Sequence, residues 1–342
     1  PVTYSIVSGN DDAWFEIDPV TGVISLTPAG VAAVANDFEA LANVHNLVVG
    51  ASDGVNTTNI NVTLTELDVN EAPEFTPPVG ETSYNFTYFE NSSDSTVIGT
   101  VNAIDPEGTP VTYSIVSGND DAWFEIDPVT GVISLTPAGV AAVANDFEAL
   151  ANVHNLVVGA SDGVNTTNIN VTLTELDVNE APEFTPPVGE TSYNFTYFEN
   201  SSDSTVIGTV SATDPEGTPV TYSIVSGNDD AWFEIDPVTG VISLTPAGVA
   251  AVANDFEALA NVHNLVVGAS DGVNTTNINV TLTELDVNEA PEFTPPVGET
   301  SYNFTYFENS SDSTVIGTVN AIDPEGTPVT YSIVSGNDDA WF

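Results

Sequence analysis

The stretch PVTYSIVSGNDDAWF decides the architecture of this chain, because it occurs four times, at residues 1–15, 110–124, 219–233 and 328–342. The residues between successive copies repeat almost letter for letter, so the chain has a period of 109 residues. Only two positions vary, Asn102 and Ile104 of one period being Ser211 and Thr213 in the next. A solenoid unit is much shorter and needs its neighbours for a core. A period of this length is the size of a self-sufficient small domain, which predicts domains in series.

The domain boundaries are placed at the proline-rich segment that closes each period. The chain starts and stops inside a period, so we expect it to be a stretch of a longer array. The predicted division is a partial domain at 1–72, complete domains at 73–181 and 182–290, and a partial domain at 291–342.

The charge of the chain is extreme. It has no Lys or Arg and 50 Asp and Glu residues, which gives a formal net charge of −50. Nucleic acid is excluded as a partner, because phosphate binding needs cationic side chains. An anionic membrane surface is disfavoured for the same reason. Metal ions or a saline medium must therefore neutralise the carboxylates.

The composition otherwise predicts folded domains. Hydrophobic residues make up 41% of the chain, which is enough for a core in each period and argues against disorder. The chain has no Cys and therefore no disulfides, so a secreted domain of this size needs another stabilising element, which points to bound metal. No apolar run approaches the ~18–20 residues of a membrane span, and no signal peptide is present in this stretch.

Alternation along the chain predicts β-structure. In Thr166–Leu176 (TTNINVTLTEL), Ile169, Val171 and Leu173 alternate with polar residues, as expected for a strand with one buried face. Further strands are predicted at Tyr84–Phe89 and Thr96–Ile104, and a short helix within Pro137–Ala149. About seven strands per period, separated by Gly, Pro and Asp turns, predict an all-β antiparallel sandwich.

The acids concentrate at turns and at the end of each period. The segment LDVNEAP at 176–182 places Asp177, Asn179 and Glu180 close together. Hard divalent cations take six to eight oxygen ligands from carboxylates, amides and carbonyls. Two carboxylates about 4 Å apart repel by about 4 kcal/mol at an effective dielectric near 20, so such clusters need cations between them.

At this point the period resembles the cadherin repeat along its whole length. The matching motifs are Glu90-Asn91, Ala103-Ile104-Asp105-Pro106-Glu107, Thr112-Tyr113-Ser114-Ile115, Phe124 to Gly131, Asp146-Phe147-Glu148, Leu156–Asp162 and Asp177–Pro182. The resemblance implies tandem seven-stranded Greek-key β-sandwiches of the immunoglobulin-like, cadherin type in a linear array. It also implies Ca²⁺ bound between successive repeats, up to about three ions per junction.

The resemblance assigns metal ligands to three junctions. The middle junction takes Glu90, Asp146, Glu148, Asp177, Asn179, Glu180, Asp214, Glu216 and Asp271. The preceding junction takes Asp37, Glu39, Asp68, Asn70, Glu71, Asp105, Glu107 and Asp162. The following junction takes Glu199, Asp255, Glu257, Asp286, Asn288, Glu289, Asp323 and Glu325.

Two details depart from the usual family pattern. The linker reads Asn-Glu-Ala where the family usually has Asn-Asp-Asn, and Glu107 stands where a second Asp is usual. The Pro-Glu-Gly turn and the Asp-Phe-Glu-Ala segment look more like the prokaryotic branch of these repeats, which is found in very large surface adhesins. The histidines His45, His154 and His263 are predicted to have a packing role.

These features predict an extracellular structural protein rather than an enzyme. The same acids recur in every period, and no Cys, cationic electrophile or phosphate loop accompanies them. The expected function is that of a calcium-rigidified stalk of a cell-surface adhesin, or the body of an extracellular filament. Direct adhesion between copies of the chain and binding of a surface glycan remain open alternatives.

Overall fold

The longest strands of the protein are those in which Thr and Asn alternate with aliphatic residues. The structure is a computed structural model, and it describes residues 1–33, 36–40, 42–142, 145–149, 151–251, 254–258 and 260–340. The chain divides into two compact units, Pro1–Val178 and Asn179–Phe342. The division into four domains stays a prediction.

The first unit contains fourteen strands and two short helices among its described residues. They are β1 (Thr3–Ser8), β2 (Phe15–Ile17), β3 (Ile24–Leu26), α1 (Pro28–Val31), β4 (Val44–Ser52), β5 (Thr57–Thr65), β6 (Glu74–Phe75), β7 (Tyr84–Phe89), β8 (Val97–Thr100), β9 (Ala103–Ile104), β10 (Thr112–Ser117), β11 (Phe124–Ile126), β12 (Val132–Leu135), α2 (Pro137–Val140), β13 (Val153–Ser161) and β14 (Thr166–Leu176).

Two sheets form the complete repeat of the first unit. The larger sheet has the order β10-β13-β14-β7, in which β7 runs parallel to β14 and the other neighbours are antiparallel. The smaller has the order β11-β12-β8. Their inward residues, among them Tyr88, Ile133, Leu156, Val171 and Leu173, form one core in which each is at most 4% exposed. Fully burying each such side chain contributes about 1.5–3 kcal/mol.

The second unit repeats this arrangement. Its elements are β15 (Glu183–Phe184), β16 (Tyr193–Phe198), β17 (Val206–Thr209), β18 (Ala212–Thr213), β19 (Thr221–Ser226), β20 (Phe233–Ile235), β21 (Val241–Leu244), α3 (Pro246–Val249), β22 (Val262–Ser270), β23 (Thr275–Leu285), β24 (Glu292–Phe293) and β25 (Ala321–Ile322). The larger sheet has the order β16-β23-β22-β19 and the smaller β17-β21-β20.

The all-β fold class is confirmed, but the prediction of an antiparallel sandwich is corrected, because β7 pairs in parallel with β14 and β16 with β23. The single strand predicted at Thr96–Ile104 is two strands, because β8 pairs with β12 whereas β9 pairs with β6. The predicted helix is helical over Pro137–Val140 only, where Thr136 caps it by accepting from the Gly139 N–H at 3.0 Å. Residues 143 and 144 of that prediction lie outside the described residues.

The packing role predicted for the histidines is confirmed. The ring of His154 lies 5.8 Å from Trp123 and 5.1 Å from Phe124, measured between ring centroids. His154 is half-buried, and this burial lowers its pKa. No helix among the described residues is both long enough and apolar enough to span a bilayer.

Candidate metal centres

In the second unit, Glu199 is a carboxylate held rigidly at the end of strand β16. It is 2% exposed, and its Oε2 accepts from the Phe256 N–H at 2.8 Å while its Oε1 accepts from the Val287 N–H at 2.6 Å. The next residue, Asn200, has φ +56°, a left-handed conformation that Asn tolerates, and it ends the strand there. The motif Glu-Asn therefore fixes one carboxylate against the segments that carry Glu257 and Asp286.

Glu257 belongs to two carboxylate clusters at once. One carboxylate oxygen from each of Glu199, Glu257 and Asp286 lies within 4.8 Å of the others. The same limit holds for Glu257, Glu289 and Glu325. A shared carboxylate between two clusters is an arrangement that suits two neighbouring cations.

The linker glutamate and the turn glutamate of the following repeat are in direct contact. The Glu289 N–H donates to Glu325 Oε1 at 2.6 Å, and Asn200 Nδ2 donates to Glu289 Oε1 at 2.7 Å. The Glu325 carboxyl raises the pKa of Glu289 to about 7, and the Glu289 N–H lowers the pKa of Glu325 to about 2. The two carboxyls therefore lie side by side, where a bound cation would favour the ionised form of both.

The first unit has the same arrangement around Glu39, Asp68 and Glu107, whose carboxylate oxygens lie within 4.8 Å of one another. The Glu71 N–H donates to Glu107 Oε1 at 2.8 Å. Hydrogen bonding to the Glu107 carboxyl, with desolvation and nearby charges, raises the pKa of Glu71 to about 7. Glu90, Asp146 and Glu148 form a further cluster, in which Glu90 is 2% exposed and accepts from Phe147 and Val178.

The linker asparagines join the linker to the next repeat. Asn70 Nδ2 donates to Asp162 Oδ2 at 2.7 Å, and Asn165 Nδ2 donates to the Asn70 carbonyl at 3.1 Å. This amide lowers the pKa of Asp162. In the second unit Asn179 and Asp271 make the same bond at 2.7 Å.

The donor set suits a hard divalent cation. The ligands available are carboxylates and amide or backbone oxygens, which Ca²⁺ and Mg²⁺ prefer over nitrogen or sulfur. Asp105 and Asp214 are at most 9% exposed and each has one oxygen, Oδ2, without a hydrogen-bond partner. A buried carboxylate oxygen without a donor is costly unless a cation approaches it.

The remaining predicted ligands occupy the expected segments. Asp37 Oδ1 accepts from the Glu39 N–H at 3.2 Å, and Asp323 Oδ1 accepts from the Thr327 N–H at 3.1 Å. Asp177 lies in the first unit, whereas Glu180 and Glu216 lie in the second, where the Glu180 N–H donates to Glu216 Oε1 at 2.8 Å. Asp255 and Asn288 also lie in the second unit, and the Asn288 amide donates to the Glu289 carbonyl at 2.8 Å.

Sequence reasoning missed Glu175 and its counterpart Glu284. Each is 1% exposed, and neither oxygen of either carboxyl has a hydrogen-bond partner. Burial, with the charges of Glu90, Asp146 and Glu148, raises the pKa of Glu175 to about 7. The signal was available, because Glu175 follows Val171 and Leu173 in the same alternation and must face inward with them.

The chain is similar to known adhesion proteins. It matches the Cadherin domain over residues 84–179 and 193–288, more than half of its length. It is 30% identical over 341 residues to protocadherin Fat 4 of Homo sapiens, covering 96% of this chain and 6% of that protein. It is 32% identical over 353 residues to Cadherin-7 of Gallus gallus, covering 96% of this chain and 41% of that protein.

A solved structure shows the same fold. The crystal structure of mouse Cadherin-23 EC22-24 aligns with a TM-score of 0.54 and 24% identity, covering 84% of this chain and 86% of that one. Both sequence relatives named above are vertebrate proteins, so the expected similarity to a prokaryotic adhesin branch has no support from them.

Proposed function

The chain belongs to the cadherin family, and from this premise we propose that it is a calcium-stiffened array of adhesion domains that acts as an extracellular stalk or filament body. It is a structural protein and not an enzyme. Its relatives are much longer, since the chain spans 6% of one and 41% of the other, so the adhesive target of the whole protein is part of the proposal.

The observation that supports this proposal most strongly is the shared position of Glu257. Its two clusters bring together acids from three separate parts of the sequence: one repeat, the linker that follows it, and the start of the next repeat. A cation bound there ties two consecutive repeats to the linker between them. The cluster of Glu39, Asp68 and Glu107 draws on the same three parts in the first unit.

The proposed calcium ligands are the three junction sets predicted from the sequence, and among them Glu257 belongs to two clusters. Calcium is favoured over magnesium, because glutamate-rich sites form large, flexible cages that suit six to eight ligands better than a strict octahedron. Without the cation the clustered carboxylates repel one another, so each linker becomes free to bend.

Small-angle X-ray scattering tests the mechanical part of the proposal. In millimolar calcium the chain should have a larger maximum dimension and a stiffer profile than in chelator. A Glu39→Gln, Glu148→Gln, Glu257→Gln chain, changed in every junction set, should show the chelator profile even in calcium, and a Glu81→Gln, Glu190→Gln, Glu299→Gln chain is the matched control. Equal dimensions for the parent with and without calcium contradict the proposal.

A further inference from the structure

Each complete sandwich buries a group of polar atoms without partners, at the end of its core where the last long strand approaches the linker. Among the described residues, the atoms in the first complete repeat are His154 Nε2, Asn145 Oδ1, Asn152 Oδ1 and both carboxylate oxygens of Glu175. The second complete repeat has the same unpartnered atoms on His263, Asn254, Asn261 and Glu284. Buried polar atoms without partners are rare in folded proteins, so a set that recurs in both repeats points to a bound ligand.

Strand pairing brings three of these side chains together. The Glu175 N–H donates to the Asn152 carbonyl at 2.8 Å, and His154 is paired with Leu173 across β13 and β14. Side chains two residues apart on a strand share a face. Leu173 is fully buried, so the three polar side chains face the core together with it.

The first period shows that these positions surround one space. The counterparts Asn36, His45 and Glu66 line a single cavity of about 180 Å³, together with Trp14. Among the described residues, the larger sheet of that period has only the three strands β1-β4-β5, with no strand in the place of β7. The imidazole, the carboxyl and one of the amides therefore converge from different segments of the repeat.

Strand β7 encloses this group of side chains in the first complete repeat. Tyr88 of β7 is paired with Glu175 and is 4% exposed. Asn145 is 7% exposed, whereas its counterpart Asn36 in the first period is exposed. Glu175 is 1% exposed, whereas its counterpart Glu66 is only partly buried. A ligand held by these atoms is therefore shielded from water.

The chemistry of the unpartnered atoms favours a cation over a water molecule. Carboxylate and amide oxygens only accept hydrogen bonds, and four of the five atoms in each repeat are of this kind. A water molecule supplies two hydrogens and no charge, so it leaves the Glu175 carboxylate uncompensated in the interior. The chain has no Lys or Arg that could supply the positive charge.

The imidazole distinguishes this ion from calcium. Ca²⁺ takes six to eight oxygen ligands, whereas each group offers four oxygens and one nitrogen. Imidazole suits first-row transition-metal ions, and Zn²⁺ is satisfied by four nitrogen and oxygen ligands at about 2.0–2.2 Å. An ion bound so closely fills the gap between its ligands and needs no separate cavity.

We propose that each complete repeat binds a first-row divalent transition-metal ion inside its core. The ligands are the imidazole, the carboxylate and the two amide oxygens of His154, Glu175, Asn145 and Asn152, or of their counterparts His263, Glu284, Asn254 and Asn261. The carboxylate clusters of the described residues contain no histidine, so this site is distinct from them. The ion joins the segment after α2 to β13 and β14 within one repeat, whereas the proposed calcium ions join successive repeats.

Zinc binding by the full chain in saturating calcium tests the proposal, because calcium then occupies the junction carboxylates. Equilibrium dialysis against Zn²⁺ is run on the folded chain and on chain refolded from urea with Zn²⁺ present, since β7 covers the site. The parent should hold one zinc ion per complete repeat. Zinc K-edge X-ray absorption of the loaded chain should show an imidazole ligand.

Two test variants remove different ligands. His154→Phe, His263→Phe keeps an aromatic ring beside the neighbouring tryptophan but removes the nitrogen. Glu175→Gln, Glu284→Gln removes the negative charge with little change of shape. The matched control, His45→Phe, removes an imidazole from the first period, where no strand covers the corresponding cavity.

Each test variant should weaken zinc binding by at least about 100-fold, because loss of an outer partner of a metal ligand alone costs about 10–100-fold. The control should hold as much zinc as the parent. If the histidine variant unfolds, as judged by circular dichroism, the glutamine variant carries the test. A parent that binds no zinc in calcium, or test variants that bind it as the parent does, overturns the proposal. The maximum dimension in calcium, measured on the same samples, reports separately on the proposed stalk function.

Discussion

The ends of each repeat are rich in acidic side chains, whereas the outward face of its larger sheet has none. Around Glu257 the carboxylates of five acids crowd into two clusters, whereas the outward surface of the larger sheet has no charge at all. This uncharged surface, the neutral face, lies around Asn168 in the first unit and around Asn277 in the second. Glu257 and Asn277 belong to the same sandwich of the second unit, so overall acidity does not explain either region. The acids are therefore grouped at the ends of the repeats, where the clusters lie, and are absent from the outward surface of the larger sheet.

Calcium removal should produce the largest effect, because it acts on every cluster at once. At a free calcium of about 100 times the dissociation constant, each site adds about 2.7 kcal/mol to the folded state. Scanning calorimetry should therefore show a Tm that rises steeply with calcium and much less with magnesium. Equal shifts with the two ions contradict the assignment of large, flexible cages.

The buried glutamates should make the calcium-free chain sensitive to pH. Burial raises the pKa of Glu175 and of Glu284 to about 7, compared with 4.5 when unfolded. The folded state thus binds the proton more tightly, so stability is full below about pH 4.5 and falls as pH rises to about 7, by roughly 3 kcal/mol per residue. Urea titrations in chelator between about pH 4 and about pH 8 measure this slope.

The matched variants separate the buried glutamates from the exposed ones. The variant Glu175→Gln, Glu284→Gln cannot ionise at these positions, so its stability should fall less over the same pH range and exceed that of the parent at the alkaline end. The fall that is left comes from Glu71 and Glu289, whose pKa is also about 7. Glu125→Gln, Glu234→Gln, at exposed strand positions, should keep the parent slope. If the exposed pair flattens the profile as much as the buried pair, the burial argument is wrong.

A single substitution at the shared carboxylate should affect one junction only. Glu257→Gln removes a ligand from both of its clusters, so isothermal titration should show fewer calcium ions per chain and a lower Tm in calcium. Glu299→Gln, an exposed glutamate outside the clusters, should bind as many ions as the parent. The unchanged core of the second unit should keep its circular dichroism spectrum in both variants.

Sodium chloride should produce the smallest effect. It screens exposed charges over about 8–10 Å but does not bridge two carboxylates in one cluster. At the ionic strength of the calcium samples, sodium chloride alone should raise Tm only modestly. A sodium chloride shift equal to the calcium shift means that the acids are a screened surface and not a set of sites.

Most of the fold and the main members of the candidate sites could be predicted from the sequence, because both depend on local patterns. The motif Glu-Asn singled out Glu90 and Glu199, which the structure holds buried beside the other acids, and their assignment as calcium ligands stays a prediction. The splitting of Thr96–Ile104 was not predictable from the sequence, because it depends on which distant strands β8 and β9 pair with.

The hydrogen bonds and pKa shifts of the acidic residues could not be predicted from the sequence, because they depend on contacts between distant residues. The hydrogen bond from the Glu289 N–H to the Glu325 carboxylate joins residues 36 positions apart. Glu175 was detectable from alternation, but its isolation from any hydrogen-bond donor was not. The neutral face became visible only once the strand order showed that β7, β10, β13 and β14 share one sheet.

A crystal structure of the calcium-bound chain, with anomalous difference density measured for the metal, tests the central claim most directly. The account predicts two neighbouring peaks bridged by Glu257, one beside Glu199 and Asp286 and the other beside Glu289 and Glu325. The neutral face around Asn168 should show no peak. Density at exposed turn acids such as Asp120 or Asp229, with none beside Glu257, would contradict the account.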